Sequence, residues 1–124
     1  MHKELTQKII AFRDARDWAQ YHTPENLSKA ISIEAAELLE HFIWKDPVDQ
    51  AKLEDELADI LMYCFIFAHE IGVDPLKIME DKLKRNEQRF PVDTVKGTSG
   101  RVTRVEHPNQ VPFRSEGASC RERV

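Results

Sequence analysis

Four acids stand at related spacings in this chain. Glu34-x-x-Glu37 is followed, after eighteen residues, by Glu56-x-x-Asp59. On a helix the i, i+3 spacing puts both acids of a pair on one face, about 5–6 Å apart between Cβ atoms. Four ionised carboxylates brought to one level would repel strongly unless a cation neutralised them. A donor set made only of carboxylate oxygens selects a hard ion, Mg²⁺ in the first place with Mn²⁺ as a substitute.

The competing reading is ordinary solvated helix surface. Such a surface would carry several basic partners at i±4, and Lys52 below Glu56 is the one such Lys or Arg in the sequence. The span Glu34–Asp59 holds nine acids and two lysines, Lys45 and Lys52, a local balance of −7. A di-iron site would want Glu-x-x-His, whereas here Glu37 is followed by His41 at i+4. These features favour a hard-cation site over both alternatives.

The elements that must position the acids are helices. Apolar spacing predicts a first helix over about 3–16 and a second from an Asn26 N-cap to about Trp44. A third follows Asp46-Pro47, read as cap and first helical position, and runs to Ile71 before Gly72. Asp74-Pro75 repeats that start for a fourth helix reaching about Arg89, which Pro91 closes. Helices two and three then form a hairpin centred between Asp46 and Pro47. Glu37 and Glu56 lie 9.5 positions either side of that centre, and Glu34 and Asp59 lie 12.5. Antiparallel packing therefore sets Glu37 level with Glu56 and Glu34 level with Asp59.

With 124 residues, 41% hydrophobic and 32% charged, the chain suits one all-α domain, an antiparallel four-helix bundle over residues 1–91. Residues 92–124, with three glycines and two further prolines, show no sustained period and are expected to be an irregular tail, partly non-native. A net charge of −4 argues against nucleic-acid binding, and no apolar run approaches a membrane span. Two cysteines, Cys64 and Cys120, read as reduced thiols. With no signal-like N-terminal segment, the expectation is a cytoplasmic protein.

Two further sets of residues could serve the acids. Lys82, Asn86 and Arg89 recur at i, i+4 and i+7 on the fourth helix, where Lys and Arg suit phosphate oxygens. The helix dipole also favours bases there. Trp18 and His22 precede the second helix and Trp44 ends it, offering rings to stack on a base and an imidazole to hydrogen-bond its edge. Tyr63 follows Asp59 by four and so lies over the same face.

Taken together, these residues resemble the all-α NTP pyrophosphohydrolases, the MazG-like proteins, and within them the dCTP pyrophosphatase-like branch. The resemblance rests on Glu34-x-x-Glu37…Glu56-x-x-Asp59 and on Arg16-Asp17-Trp18-Ala-Gln-Tyr-His22-x-Pro24-x-Asn26-Leu27. It rests also on Trp44 seven residues after Glu37, Tyr63 four after Asp59, and Lys82-x-x-x-Asn86-x-x-Arg89-Phe90-Pro91. It spans about residues 5–91. It implies hydrolysis of a (deoxy)nucleoside triphosphate, dCTP or a modified dCTP among them, to monophosphate and pyrophosphate, cleansing the nucleotide pool. By that likeness Glu34, Glu37, Glu56 and Asp59 hold Mg²⁺, and Glu34 or Glu37 takes the proton of the attacking water. Lys82, Asn86 and Arg89 meet phosphates, sugar or base, while Trp18, His22, Trp44 and Tyr63 shape the nucleoside pocket. It also implies a homo-oligomer, dimer or tetramer, whose sites neighbouring subunits complete. Ile9 and Phe90 stand where dCTP-specific members carry His and Tyr, so the preferred base stays open. A non-catalytic oligomerisation module and a nucleotide sensor on the same fold are the other readings.

Overall fold

The computed structural model describes residues 2–44 and 47–98. Among them are five α-helices and no strand: α1 (His2–Ala15), α2 (Pro24–Ile43), α3 (Gln50–Glu70), α4 (Pro75–Arg89) and α5 (Val92–Val95). A short 3-10 turn, Ala19–Tyr21, lies between α1 and α2. The chain divides into two compact units, Met1–Ile78 and Met79–Val124. The first holds α1, α2, α3 and the start of α4. The second holds the rest of α4 and α5.

Within the first unit α2 and α3 share the most extensive contact, and α1 packs on α3. Leu27, Ile66 and Ala68 are the buried hydrophobic residues among those described, Leu27 fully so. Ile33, Leu39, Phe42 and Ile43 on α2, and Leu57 and Leu61 on α3, are half exposed or more. These side chains leave a broad apolar area of α2 and α3 in water.

The helix ends depart from the sequence expectation in instructive ways. Thr23, not Asn26, caps α2: its hydroxyl accepts from the Asn26 N–H at 3.1 Å, with Pro24 at the first helical position. The Asn26 amide instead donates to the Tyr21 carbonyl at 2.9 Å, tying the preceding segment to the helix. Asp49, not Asp46, caps α3, accepting from Ala51 N–H at 3.0 Å. Pro47 therefore lies before the helix rather than at its start. Asp74 does cap α4 as expected, accepting from Leu76 N–H at 2.9 Å.

Two helices end in the same left-handed device. After α3, Gly72 (φ 76°) donates to His69 and Val73 to Ala68, closing the last turn. After α1, Asp17 takes that position at φ 57°, donating to Asp14, while Trp18 donates to Arg13. Asp tolerates this region better than most residues. The motif's usual apolar contact is present, Trp18 standing edge-on to Phe12 at 5.9 Å between ring centroids. Trp18 is thereby fixed by backbone geometry.

Beyond Phe90 the chain is not irregular at once. Pro91 sits at the N-cap of α5 without a side-chain cap, and Asp93 in its first turn is favourable to a helix start. The rest of the expected tail, from residue 99, lies outside the described residues, as does Cys120. Cys64 is a half-buried free thiol, its pKa pushed up by burial. Among the described residues no helix is long and apolar enough to cross a membrane.

Candidate active site

α2 ends at Ile43 and α3 begins at Gln50, so the hairpin centre falls midway between residues 46 and 47 despite the shifted caps. The i, i+3 pairs follow: Glu34, Glu37, Glu56 and Asp59 are each half-buried, while Ala35, Ala36, Leu57 and Ala58 between them are exposed. One carboxylate oxygen from each of Glu34, Glu56 and Asp59 lies within 4.8 Å of the other two. Glu37 joins through a side-chain hydrogen bond to Glu34.

Glu34 bears the strain of this crowding. Burial, then the hydrogen bond and charge of Glu37, then the charges of Asp59 and Glu56 push its pKa up to about 7. Each cause disfavours the anion, as expected for clustered acids. Its Oε2 is buried with no hydrogen-bond partner among the described residues. Such an atom is costly unless something fills the gap. Three convergent oxygens and one orphaned acceptor fit a hard divalent cation.

His41, on α2, places Nε2 3.6 Å from Oε1 of Glu56 on α3. The sequence points only to Lys52 as a neighbour of Glu56, because i±4 rules see one helix at a time. The cross-helix partner is His41, one turn on from Glu37, the residue that the hairpin register sets level with Glu56.

Two cavities flank the cluster. The first, about 290 Å³, is lined by Glu34 and Asp59 and by Ile9, Phe12, Trp18, Met62, Tyr63 and Ile66, with Arg13 and His22 completing the lining. His22 stands edge-on to Tyr63 at 6.3 Å between centroids. Burial and the nearby Arg13 charge lower the His22 pKa, keeping the ring neutral, and its Nδ1 is buried without a partner. The second cavity, about 460 Å³, takes the other two acids, Glu37 and Glu56, together with Glu40, His41, Trp44 and Lys52.

Of the residues singled out in the sequence, Trp18, His22 and Tyr63 thus meet in one cavity beside Glu34 and Asp59. Trp44, 71% exposed, lines the other. Lys82, Asn86 and Arg89 lie along α4 within the second unit, Lys82 exposed and the other two half-buried. Arg89 rests its guanidinium against Phe90, 5.1 Å from the ring centroid. Sequence reasoning missed Arg13, 4% exposed and bonded to Asp14 at 3.1 Å and to Glu70 on α3.

Comparison with known proteins identifies the family. The MazG-like family model matches residues 29–103. A rat protein named dCTP pyrophosphatase 1 is 35% identical over 111 residues, 82% of this chain and 65% of its own length. The human protein of that name is 35% identical over 116 residues, covering 85% of this chain and 68% of its own. The chain thus spans about two thirds of these relatives' length. A pyrophosphatase of known structure from Archaeoglobus fulgidus is 36% identical with a TM-score of 0.67, covering 73% of this chain and 92% of that one. The chain belongs to the MazG-like family.

Proposed function

We propose that this chain is a Mg²⁺-dependent nucleoside triphosphate pyrophosphohydrolase that converts a (d)NTP to (d)NMP and pyrophosphate, with dCTP or a modified dCTP as the leading substrate. One observation carries the reading. The Glu34–Glu56–Asp59 cluster, with its orphaned Glu34 oxygen, opens directly onto a cavity walled by Trp18, Tyr63 and His22. An acidic cation site alone could serve many reactions, whereas one beside an aromatic slot suits a polyphosphate tail attached to a base. The names of the relatives supply the substrate class.

Glu34, Glu56 and Asp59, with Glu37 beside them, would hold the cation. When bound, it offsets charge on the phosphate oxygens and on the departing pyrophosphate. Trp18 and Tyr63 orient the nucleoside by stacking and contact, and His22 offers a hydrogen bond through the nitrogen that lacks one. Water attacks a phosphorus of the α–β anhydride in line with the leaving oxygen. Glu37, whose oxygen stands outside the convergent trio, accepts the proton of that water, with Glu34 as the alternative acceptor. Lys82, Asn86 and Arg89 engage the phosphates and sugar. Trp44 completes a nucleoside pocket in a homo-oligomer, dimer or tetramer, which the exposed apolar faces of α2 and α3 favour. Nucleotide-pool cleansing in the cytoplasm is the role this chemistry suits.

Pyrophosphate release measured over a panel of natural and modified (d)NTPs, with Mg²⁺ and with chelator, tests the reading. Monophosphate and pyrophosphate in equimolar amounts, only with the metal, are expected. Diphosphate and orthophosphate as products, or nucleotide binding with no turnover, would overturn it.

A further inference from the structure

We propose that Arg13 is a specificity-determining residue of the nucleoside cavity, its guanidinium reading a base edge that presents two adjacent hydrogen-bond acceptors. The inference rests on the pyrophosphohydrolase reading and concerns which base that site prefers. Three residues of α1 line the cavity: Ile9, Phe12 and Arg13. The first two bring no hydrogen bond, so Arg13 is the polar group that this helix contributes. It is also the one buried charged residue among those described.

A guanidinium that deep must be paired. Glu70 accepts from Nη1, and Asp14 accepts from Nε at 3.1 Å. Together they take two of the five N–H donors and hold the planar fork in one orientation. Neither accounts for the other three, and Arg13 lines the cavity, whose neutral polar groups are His22, the Tyr63 hydroxyl and the Trp18 indole N–H.

A guanidinium donates only, so it recognises acceptors. Cytosine carries adjacent acceptors at O2 and N3. Uracil and thymine place an N3–H donor at the second position, which would face an Arg donor across a dry contact. About 290 Å³ is at the small end of ligand pockets, which run from roughly 300 to 1,000 Å³. That space favours a single-ring base over guanine, whose O6 and N7 are the other adjacent acceptor pair. A role limited to stapling α1 onto α3 would give Arg13 an effect on stability and none on the choice of base.

Calorimetric titration of the full chain with the non-hydrolysable α,β-imido analogues of dCTP and dUTP, Mg²⁺ present, separates these roles. The wild type should bind the cytosine analogue on the order of tenfold to a hundredfold more tightly. Arg13→Lys, which keeps a charge for Glu70 but loses the fork, should bring the ratio close to one. A ligand-side measurement needs no variant: replacing cytosine N3 by carbon should cost the wild type about tenfold in affinity. A wild type indifferent to base or to that replacement, or a folded Arg13→Lys that keeps the full preference, would overturn the proposal. Hydrolysis of natural triphosphates is read separately. Turnover without base preference defeats the Arg13 assignment alone, and base-selective binding without pyrophosphate release defeats the hydrolase reading alone.

Discussion

The two cavities beside the acidic cluster divide its carboxylates between them and differ in everything else. Glu34 and Asp59 face a slot of about 290 Å³ walled by rings and aliphatic side chains. Glu37 and Glu56 face a larger space of about 460 Å³ edged by Glu40, His41, Lys52 and an exposed Trp44. The same hairpin builds both, and what separates them is what packs against it. α1 and the Trp18–His22 segment close over the first and desolvate it. The second lies towards the hairpin's turn, where Pro47, Val48 and Asp49 join the side chains of α2 and α3 and nothing from α1 lines it. Desolvation strengthens every electrostatic effect on the first side, which is why the crowding registers on Glu34. Under the proposed function the nucleoside's main contacts belong to the closed side, with Trp44 on the open side completing the pocket.

The largest expected effect comes from the two acids of the closed cavity. Glu34→Gln or Asp59→Asn should lower turnover by on the order of a thousandfold or more while leaving the circular dichroism spectrum unchanged. Wild-type-like rates in either variant would remove the metal assignment. Next come the two tryptophans, which set the cavities against each other. Trp18→Ala should lower kcat/KM by roughly fivefold to a hundredfold, the scale of one base–ring stack. Trp44→Ala should cost less, and a reversed order would move the nucleoside to the open side.

His41→Ala tests the open side's hold on the cluster. Loss of the contact to Glu56 should weaken Mg²⁺ binding about tenfold, a common cost of removing a ligand's outer partner. Unchanged metal affinity would make His41 a bystander.

The smallest effect is on stability against pH. The folded-state pKa of Glu34 is raised from 4.5 to about 7, so the native state holds a proton that the unfolded chain has released. Stability contributed by that proton is complete below the unfolded value and is lost as pH rises towards and through 7. Melting temperature in chelator should therefore fall between about pH 5 and 8, and Glu34→Gln should flatten that fall. A melting temperature that climbs across the window would contradict the crowding.

How far the sequence discloses this arrangement depends on the range of each interaction. The quartet is legible because its symmetry about residues 46 and 47 survives a shift of both helix ends. Thr23 and Asn26, or Asp46 and Asp49, are each a pair of good caps three residues apart. Local preference ranks them equally, and packing chooses. Thr23 followed by Pro24 was the available signal. Trp18, His22 and Tyr63 could be named singly, but their meeting depends on the left-handed turn at Asp17, where glycine would have been the ordinary clue. Arg13 was hidden because its partner, Glu70, is 57 residues away. On a helical wheel it reads as the basic last turn of α1. His41 was hidden for the same reason, its acid lying on the opposite helix.

Titration of the wild type and Asp59→Asn with Mn²⁺, following the free-ion signal by electron paramagnetic resonance, tests the cation site most directly. The account predicts saturable binding in the wild type, displaced by Mg²⁺, and its loss in the variant. Equal binding by both proteins, or none by the wild type, would contradict it.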